Sequence, residues 1–503
     1  MEISNCIKIL KNEDNFREIY VNLVAYYDLP DQYDRTISGL SYTSQDVSEG
    51  NIFFCKGNNF KLSYLNQALE KNISAYFTES IDEFPDTTAV GIVVNDVRKA
   101  MAVIAANYYD NPQNDITLVT FGGTKGKTTA AYMLKNILDI HTDGKAALIS
   151  SADIILDGVT KIKASLSTPE SLDLFKMLRT AADNGMEFLV METSSQALKL
   201  DRVYGLDYDV AAFLNISPDH IGDIEHPNFE DYFYFKRKMF KQSKTVILNS
   251  DSDYYQLLEE AAKDCTEKII TFGNIKSNKE CDFIWEKIGG NSFKLTSPFQ
   301  EYGEFFVNLF GDYNIENAVA SISIALQFGV SIKDIKRALK SIVIPGRMEM
   351  FKTEDEKLVV IDYAHNYISL KKVLSELKIV FPDKEINVLI GSPGNKAQSR
   401  RKDFGKVLSK FADYVVLTED DSNYEETEKI IKEIEIHLDD GISRTIISNR
   451  KEAIKYIISN SSPNSIILLA GKGADKFQKR KGVREFYEGD YQIAKEYVES
   501  LKK

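Results

Sequence analysis

The segment GTKGKTT, residues 123–129, has the residue types and spacing of a phosphate-binding loop. Its glycines let the backbone approach a ligand closely, so that consecutive N–H groups face phosphate oxygens at the start of a helix. Lys127 would reach the β and γ phosphates, and the Thr128 hydroxyl would ligate magnesium. The usual eight-residue pattern has Gly where this chain has Phe121. The predicted nucleotide-phosphate site comprises Gly123, Thr124, Lys125, Gly126, Lys127, Thr128 and Thr129.

The elements that must position this loop follow a repeated α/β pattern. Short apolar runs rich in β-branched residues end in small or polar residues and predict buried parallel strands. They begin at Ile116, Phe188, Val210, Thr245, Leu358, Asn387, Tyr414 and Ser465. Helical-period stretches such as AAYMLKNILDI and SLDLFKMLRTAAD separate several of them. We therefore predict an α/β fold in which ligands bind beyond the carboxyl ends of the strands, where Glu192 of FLVME would stand beside the phosphate loop.

The length of 503 residues predicts two to four domains, because single cores stop growing at about 250 to 300 residues. A polar cluster, NYYDNPQND, occupies residues 107–115, and Pro345 with Gly346 interrupts a second helix and strand pattern. We predict an N-terminal domain over residues 1–111, a central domain over 112–345 and a C-terminal domain over 346–503.

The composition excludes several classes of protein. With 75 Asp and Glu against 62 Lys and Arg, the net charge of −13 argues against a general nucleic-acid binder, although anionic small molecules need only a local basic pocket. The four cysteines form no CxxC pair, so neither a disulfide framework nor a zinc site is indicated. No secretion signal and no apolar run of about 18 residues is visible, so we expect a cytoplasmic protein without membrane insertion.

Further segments match one family in its order. METSSQALKLDRV (191–203), NISPDHIGDIEH (215–226), DYFYFKRK (231–238), GDYNIENA (311–318), PGRME (345–349), DYAHN (362–366) and AGKGAD (470–475) resemble the Mur ligases of bacterial peptidoglycan synthesis, as does GTKGKTT. The resemblance implies three domains: an N-terminal domain that binds UDP-MurNAc, a central P-loop ATPase domain, and a Rossmann-like C-terminal domain that binds an amino acid. It also implies a monomer that uses ATP and Mg²⁺.

Within that family, the chain is most similar to the enzymes that add the third amino acid to UDP-MurNAc-L-Ala-D-Glu, and among these to the lysine-adding type. The implied reaction is ATP-driven amide formation. The γ-phosphate moves to the D-glutamate side-chain carboxylate, and the amine of the amino acid attacks the resulting acyl phosphate.

The resemblance also implies roles for residues of the central domain. Thr128, Glu192 and His220 would hold magnesium together with Lys236, which the family carbamylates, and Lys127 would complete the catalytic set. A carbamate turns an ammonium into an anion that can bind a metal. Lys238 lies close enough in sequence to compete with Lys236 for this role.

Other implied contacts concern the two nucleotides. Arg347 would reach the ATP phosphates when the C-terminal domain closes, Asp362 would bind the ribose, and Asn314 and Asn317 would lie near adenine. Ser44, Thr168, Ser194 and Arg202 match positions that contact the UDP-MurNAc-dipeptide. Gln45 stands where arginine is usual in the uridine-binding segment, which leaves the uridine contacts open.

The segment Asp420, Asp421, Ser422, Asn423 stands where diaminopimelate-adding relatives have DNPR, whose arginine grips the second carboxylate of that substrate. An acidic loop instead favours a substrate with a cationic far end, such as L-lysine. Lys396 matches the residue for the α-carboxylate, with Arg400 or Arg401 as alternatives. Asp475, with Gly471 in the same segment, would position the amine.

Three alternatives stay open at the level of sequence. The ligase could add ornithine, which is one methylene shorter than lysine, or meso-diaminopimelate. A folylpolyglutamate synthase-like enzyme shares the carboxylate-activation chemistry but usually lacks the N-terminal module. A non-catalytic ATP-binding regulatory protein is disfavoured by the joint presence of Lys127, Glu192, His220 and Lys236.

Overall fold

A computed structural model describes residues 1–57, 59–80, 85–218, 221–222, 225–277, 280–395 and 398–501. The chain forms two compact units. The first contains Met1–Glu286, Lys294–Glu304 and Glu316–Leu339, and the second contains Lys287–Phe293, Phe305–Ile315 and Lys340–Lys503. The predicted α/β class is confirmed, whereas the three domain ranges stay a prediction, since this division has two units.

The first unit begins with a mixed sheet. Its strands are β1 (Phe16–Val21), β2 (Val24–Tyr26), β3 (Gly39–Ser41), β4 (Asn51–Phe54), β5 (Ala75–Thr78) and β6 (Val90–Val94), in the order β2-β1-β6-β5-β4-β3. Strands β3 to β6 pair in parallel, and β1 is antiparallel to both of its neighbours. The accompanying helices are α1 (Ile3–Asn12), α2 (Leu62–Leu69) and α3 (Val97–Tyr108). Asp96 caps the start of α3, because its carboxylate accepts the N–H groups of Arg98 and Lys99.

The second sheet has the order β10-β9-β8-β11-β7-β12-β13-β14-β15-β16-β17. Its strands are β7 (Thr117–Gly122), β8 (Ala146–Ile149), β9 (Asp153–Ile155), β10 (Ile162–Lys163), β11 (Phe188–Glu192), β12 (Tyr208–Phe213), β13 (Ser243–Asn249), β14 (Lys268–Asn274), β15 (Phe283–Gly289), β16 (Ser292–Thr296) and β17 (Glu301–Phe306). The helices in this part of the chain are α4 (Lys127–Thr142), α5 (Ser171–Asp183), α6 (Ser195–Lys199), α7 (Phe229–Arg237), α8 (Tyr255–Lys263), α9 (Asp312–Gln327) and α10 (Ile332–Ser341).

The predicted buried strands of this region form the parallel centre of the sheet. Strand β7 lies between β11 and β12, and the register pairs Glu192 with Phe121 and Phe213 with Gly122. Side chains in β7, β11 and β12 are almost all buried, which explains their continuous apolar runs. The register therefore brings the carboxyl ends of β11 and β12 level with the start of the phosphate loop.

The second unit contains a sheet of order β18-β19-β23-β20-β21-β22 and a separate hairpin, β24-β25. Its strands are β18 (Glu349–Lys352), β19 (Leu358–Asp362), β20 (Ile386–Ile390), β21 (Tyr414–Leu417), β22 (Ser443–Ile446), β23 (Ile466–Ala470), β24 (Phe477–Arg480) and β25 (Val483–Phe486). Its helices are α11 (Tyr367–Val380), α12 (Ser399–Phe411), α13 (Thr427–Glu435), α14 (Arg450–Asn460) and α15 (Asp490–Ser500). Apart from the antiparallel β18, the strands of the larger sheet run parallel.

Short 3₁₀ segments cover Asp31–Tyr33, Pro112–Asn114, Lys238–Gln242 and Ile275–Ser277. In the part of the chain that the structure describes, none of the helices has both the length and the apolar character that crossing a membrane requires.

Candidate functional site

The phosphate loop connects β7 to α4 through two glycines with positive φ. Gly123 has φ +126° and Gly126 has φ +89°. A Cβ on Gly123 would lie 3.0 Å from the backbone oxygen of Asn215, and one on Gly126 would overlap the amide of Asn317. Both backbone conformations therefore favour glycine, and at Gly126 a side chain would also displace the Asn317 amide. Lys127 begins α4 and donates from Nζ to the carbonyl oxygens of Gly123 and Thr124, at 2.9 and 3.2 Å.

The segment after β12 holds this loop in place. The N–H of Thr124 donates to the Asn215 carbonyl at 2.9 Å, and the amide of Asn215 exchanges two hydrogen bonds with the Lys125 backbone, at 2.9 and 3.0 Å. The Thr124 hydroxyl accepts the N–H of Ser217 at 3.0 Å and lies 3.0 Å from the Tyr232 hydroxyl. These hydrogen bonds fix the loop backbone against the segment that follows β12.

Two predicted magnesium ligands meet at Ser151. The Thr128 hydroxyl lies 2.9 Å from the Ser151 hydroxyl, and the Ser151 N–H donates to Glu192 Oε1 at 2.7 Å. Hydroxyl and carboxylate oxygens beside a phosphate loop are the donors that Mg²⁺ prefers, so the residues present fit that ion. The predicted ligand His220 lies outside the described residues, and among those described, no three His, Cys, Asp or Glu side chains converge as a metal site.

The structure separates the two lysines that compete for the carbamylated position. Lys236 is buried, and its Nζ donates to the Gly123 carbonyl at 2.7 Å. Lys238 follows the end of α7, and its Nζ lies over the rings of Tyr234 and Phe235 instead. Of the two ammonium groups, the one on Lys236 is therefore the group that reaches the phosphate loop.

Three residues predicted to contact the UDP-MurNAc-dipeptide lie together beside β11. The Thr168 hydroxyl donates to the Glu192 carbonyl at 2.9 Å and to the Ser194 hydroxyl at 3.4 Å. Arg202 Nη1 donates to the Thr168 carbonyl at 3.3 Å. Ser194 also caps α6 by accepting the Ala197 N–H. These contacts connect the predicted dipeptide residues directly to the strand that carries Glu192.

A carboxylate with three cations lies next to this group. Glu170 pairs with Lys56 Nζ at 3.0 Å, Arg98 Nη1 at 3.3 Å and Arg202 Nε at 3.1 Å. Burial alone would raise the pKa of Glu170, but the three cations together hold it below its ordinary value. The cluster, which we call the Glu170 cluster, carries two positive charges in excess.

Ser44 lies in the N-terminal sheet region, where its hydroxyl donates to Gln67 Oε1 at 2.7 Å. Lys71 Nζ donates to the carbonyls of Ser44 and Gln45, both at 2.9 Å. The Gln45 position is thus held by its backbone.

Four residues outside the phosphate loop are also predicted to contact ATP. Asn317 of the first unit lies against Gly126, whereas Arg347, Asp362 and Asn314 belong to the second. Asp362 Oδ2 accepts the Met348 N–H at 2.9 Å, and burial raises the pKa of Asp362 although Arg347 opposes this shift. The Arg347 guanidinium lies over the Tyr363 ring at 4.9 Å. Asn314 is buried and donates to the Phe310 carbonyl at 2.6 Å.

The predicted amino-acid residues gather at the carboxyl ends of β21 and β23. A Cβ on Gly471, whose φ is +105°, would lie 3.1 Å from Asp420 Oδ2. Asn423 pairs through its backbone with the β24-β25 hairpin, and its side-chain oxygen is buried without a hydrogen-bond partner in the described chain. The Asp475 N–H donates to the carbonyl of Lys472, at 3.0 Å. Asp420, Asp421, Asn423, Gly471 and Asp475 therefore share one region.

Lys472 modifies the predicted acidity of that region. Its Nζ is almost fully buried and lies 2.7 Å from Asp421 Oδ1 and 3.7 Å from Asp420 Oδ1. The acidic loop is thus partly neutralised by the protein itself, which the sequence reasoning did not anticipate.

The predicted residue for the α-carboxylate, Lys396, lies outside the described residues. Of its alternatives, Arg401 is buried and paired with Glu425 at 2.8 Å and Glu433 at 2.7 Å. Arg400 is half-buried and makes no hydrogen bond or ion pair within the described chain. Burial lowers the pKa of Arg400.

Sequence reasoning missed Ser151, Tyr232, Glu170 and Lys472 as parts of these sites. Two of them carried a local signal: Glu170 lies two residues after Thr168, and Lys472 lies between the two glycines of AGKGAD. Ser151 and Tyr232 are ordinary in their local sequence, and only the fold brings them to Thr128 and Thr124.

Comparison with known proteins extends over the whole chain. Residues 121–325 match the Mur ligase middle domain, and residues 346–473 match the Mur ligase, glutamate ligase domain. The UDP-N-acetylmuramoyl-L-alanyl-D-glutamate–L-lysine ligase of Enterococcus faecalis is 42% identical over 97% of each chain, and that of Streptococcus agalactiae is 42% identical over 99% of each.

A solved UDP-N-acetylmuramoyl-L-alanyl-D-glutamate–2,6-diaminopimelate ligase resembles the structure with a TM-score of 0.67 and 24% identity. The match covers 93% of this chain and 96% of the other. At that identity the likeness concerns the fold.

Proposed function

The chain belongs to the Mur ligase family, and we propose from that premise that it adds L-lysine to UDP-MurNAc-L-Ala-D-Glu in an ATP-dependent reaction. The observation that carries this proposal is the 42% identity, over 97% of both chains, to a ligase whose name specifies L-lysine. Several other relatives at about 40% identity over nearly the full chain have the same name. The acceptor is the D-glutamate side-chain carboxylate.

The chemistry requires activation of that carboxylate. An ionised carboxylate is a poor electrophile, because direct attack would have to expel oxide. Transfer of the γ-phosphoryl group from ATP to a carboxylate oxygen releases ADP and forms an acyl phosphate. The α-amine of lysine then attacks the carbonyl carbon, loses a proton and expels phosphate, which leaves an amide.

We propose that the residues around the phosphate loop carry the first step. The loop N–H groups and Lys127 bind the β and γ phosphates. Thr128 and Glu192 would hold magnesium, which would supply positive charge near the transferring phosphoryl group. Lys236, in a carbamylated form, would join that ligand set, and the position of its Nζ beside Gly123 supports this assignment. His220 stays a predicted ligand.

The proposed organisation assigns one range to each substrate: UDP-MurNAc-dipeptide to 1–111, ATP to 112–345 and lysine to 346–503. The three large sheets, formed by strands within 16–94, 117–306 and 349–470, support that assignment. ATP and UDP-linked precursors are cytoplasmic metabolites, so we propose that the enzyme acts in the cytoplasm. It is expected to act as a monomer.

Turnover tests this function directly. Purified protein with ATP, Mg²⁺ and UDP-MurNAc-L-Ala-D-Glu should release phosphate when L-lysine is added, and mass spectrometry should detect the UDP-linked tripeptide. Parallel reactions contain L-ornithine or meso-diaminopimelate in place of lysine. A preference for diaminopimelate would contradict lysine specificity, and release that needs no amino acid would contradict ligation.

Two controls separate the other candidate functions. Tetrahydrofolate with glutamate should support no phosphate release, whereas a folylpolyglutamate synthase would use this pair. The Lys127→Ala variant should release no phosphate in the same mixture of ATP, Mg²⁺, UDP-MurNAc-dipeptide and lysine. That result would show that the phosphate loop is needed for the activity. A wild-type protein that binds ATP but turns over no substrate would support the non-catalytic alternative.

A further inference from the structure

The acidic loop at the end of β21 contains two carboxylates with unequal surroundings. Asp421 Oδ1 accepts from Lys472 Nζ at 2.7 Å and from the Lys479 N–H at 3.0 Å. Asp420 Oδ1 accepts the N–H of Asp421 at 2.7 Å and lies 3.7 Å from Lys472 Nζ. Lys472 thus makes its short ion pair with Asp421 and only a longer contact with Asp420.

Arg450, a second cation near this loop, is engaged elsewhere. Arg450 is fully buried and forms a bidentate pair with Asp490, at 2.8 and 2.6 Å. Its remaining N–H groups donate to the carbonyls of Glu419 and Ala470. Arg450 supports the ends of β21 and β23 but makes no direct hydrogen bond to Asp420. Of the two carboxylates, only Asp421 is hydrogen-bonded to a cation, whereas Asp420 interacts with Lys472 at 3.7 Å and electrostatically with the half-buried Arg400.

We propose that Asp421 is a positioning residue for the amino-acid site: by holding the Lys472 ammonium, it keeps this internal cation out of hydrogen-bonding distance of Asp420. Asp420 is then available to the distal ammonium of the incoming amino acid. This inference rests on the proposed function, because it assumes that the substrate has a cationic far end.

The geometry explains why the Asp421 charge is needed. If residue 421 were a neutral amide, the nearest remaining carboxylate for the buried Lys472 ammonium would be Asp420, which a movement of about an ångström would bring into hydrogen-bond range. A buried ammonium strongly favours such a partner, because leaving it unpaired is costly. The substrate ammonium would then meet a carboxylate that is already neutralised.

Two other roles for Asp421 make different predictions. Asp421 could contact the substrate itself, or it could only anchor the β24-β25 hairpin through the Lys479 N–H. In both cases the loss caused by Asp421→Asn would remain when Lys472 is also replaced. If Asp421 acts by holding Lys472, removal of Lys472 removes the competitor and restores lysine binding.

The experiment is a double-mutant cycle on the full-length protein, with KM and kcat for L-lysine measured at saturating ATP and UDP-MurNAc-dipeptide. Asp421→Asn should raise KM about tenfold or more, which is the size expected for loss of a charged hydrogen bond, while kcat changes by less than about threefold. Lys472→Met alone and the double variant should both have KM values within about threefold of the wild type. Lys479→Met, on the same hairpin, is the matched control and should change neither constant.

Three results of these measurements would contradict the reasoning, and each has a different meaning. A double variant as impaired as Asp421→Asn would show that Asp421 acts on substrate or loop directly, and a large KM increase in Lys472→Met alone would show that Lys472 itself is needed. A wild-type protein inactive with lysine would instead refute the proposed function. Thermal unfolding checks each variant, and Asp421→Ser repeats the cycle should Asp421→Asn fail to fold.

Discussion

Replacement of Glu170 by Gln should destabilise the first unit strongly, because it removes the single anion of a buried cluster with three cations. The carboxylate lies 3.0 to 3.3 Å from Lys56, Arg98 and Arg202. The exposed fractions of the four side chains run from 8% for Arg202 to 21% for Arg98. Glutamine preserves the shape of the side chain, so the change isolates its charge.

The expected magnitude follows from these distances. Each pair is worth about 5 kcal/mol by Coulomb's law at an effective dielectric constant of about 20, before desolvation and repulsion among the cations are subtracted. Removal of one partner from a buried pair typically costs about 3 to 5 kcal/mol, because the remaining charge is left uncompensated. We expect a loss of that size in Glu170→Gln. Lys56→Met should cost clearly less than Glu170→Gln, because Arg98 and Arg202 still compensate the Glu170 carboxylate.

The single tryptophan provides the assay. Trp285 is buried in the first unit, so its fluorescence reports on urea unfolding of the unit that contains Glu170. With an m-value of about 3 kcal/mol/M, the midpoint of Glu170→Gln should fall by about 1 M or more. Glu187→Gln breaks an exposed pair with Lys145 in the same unit and should leave the midpoint unchanged.

The pH dependence gives a second test of the same reasoning. Since the folded-state pKa of Glu170 lies below its ordinary value of 4.5, its stabilising contribution is present above that pH and is lost as pH falls through the folded-state pKa. The stability difference between wild type and Glu170→Gln should therefore be full at neutral pH and shrink in acid. A Glu170→Gln variant within about 1 kcal/mol of the wild type at pH 7 would refute the assigned role.

Three further predictions concern activity. Lys236→Ala should lose ligase turnover, and high bicarbonate should not restore it, since no amine remains to form the carbamate. Lys238→Ala should keep near-normal turnover. The reverse result would transfer the assignment to Lys238. Gly126→Ala should weaken ATP binding measured by calorimetry, because φ is +89° and the new Cβ would overlap Asn317; unchanged affinity would contradict the geometry. Burial raises the pKa of Asp420, so this carboxylate should become protonated at a higher pH than an ordinary aspartate. KM for lysine should therefore begin to increase at that higher pH as the solution is acidified. Asp420→Asn should remove this pH dependence.

Much of the fold and part of the site could be predicted from local sequence pattern. The phosphate loop and Glu192 were predictable because each ends a short apolar run, and the parallel register then places them side by side. Lys236 and Lys238 could not be separated in this way. Which of the two side chains reaches the phosphate loop depends on where α7 ends and on the hydrogen bond from Lys236 to Gly123, 113 residues earlier in the chain.

The ion pairs that set the local charge of the sites could not be predicted from sequence either, because their partners lie far apart in the chain. Lys472 and Asp421 are 51 residues apart, and they meet because β21 and β23 both end at the same edge of a sheet, with β20 between them. The acidity of DDSN was visible in sequence, but the internal cation that offsets half of it was not. Net local charge is a tertiary property, and it requires the sheet order.

The two clusters have opposite imbalances of charge, and these match the proposed substrates. The Glu170 cluster has one anion for three cations next to Thr168 and Ser194, and the proposed ligand there is an anionic dipeptide. The loop at Asp420 has two anions for one cation, and its proposed ligand has a cationic end. A buried cluster with unbalanced charge costs stability until a ligand of the opposite charge completes it. Charge selectivity at both sites therefore follows from the excess charge that the protein leaves without an internal partner. A variant that neutralises this excess charge at either cluster should gain stability and lose affinity for the corresponding substrate.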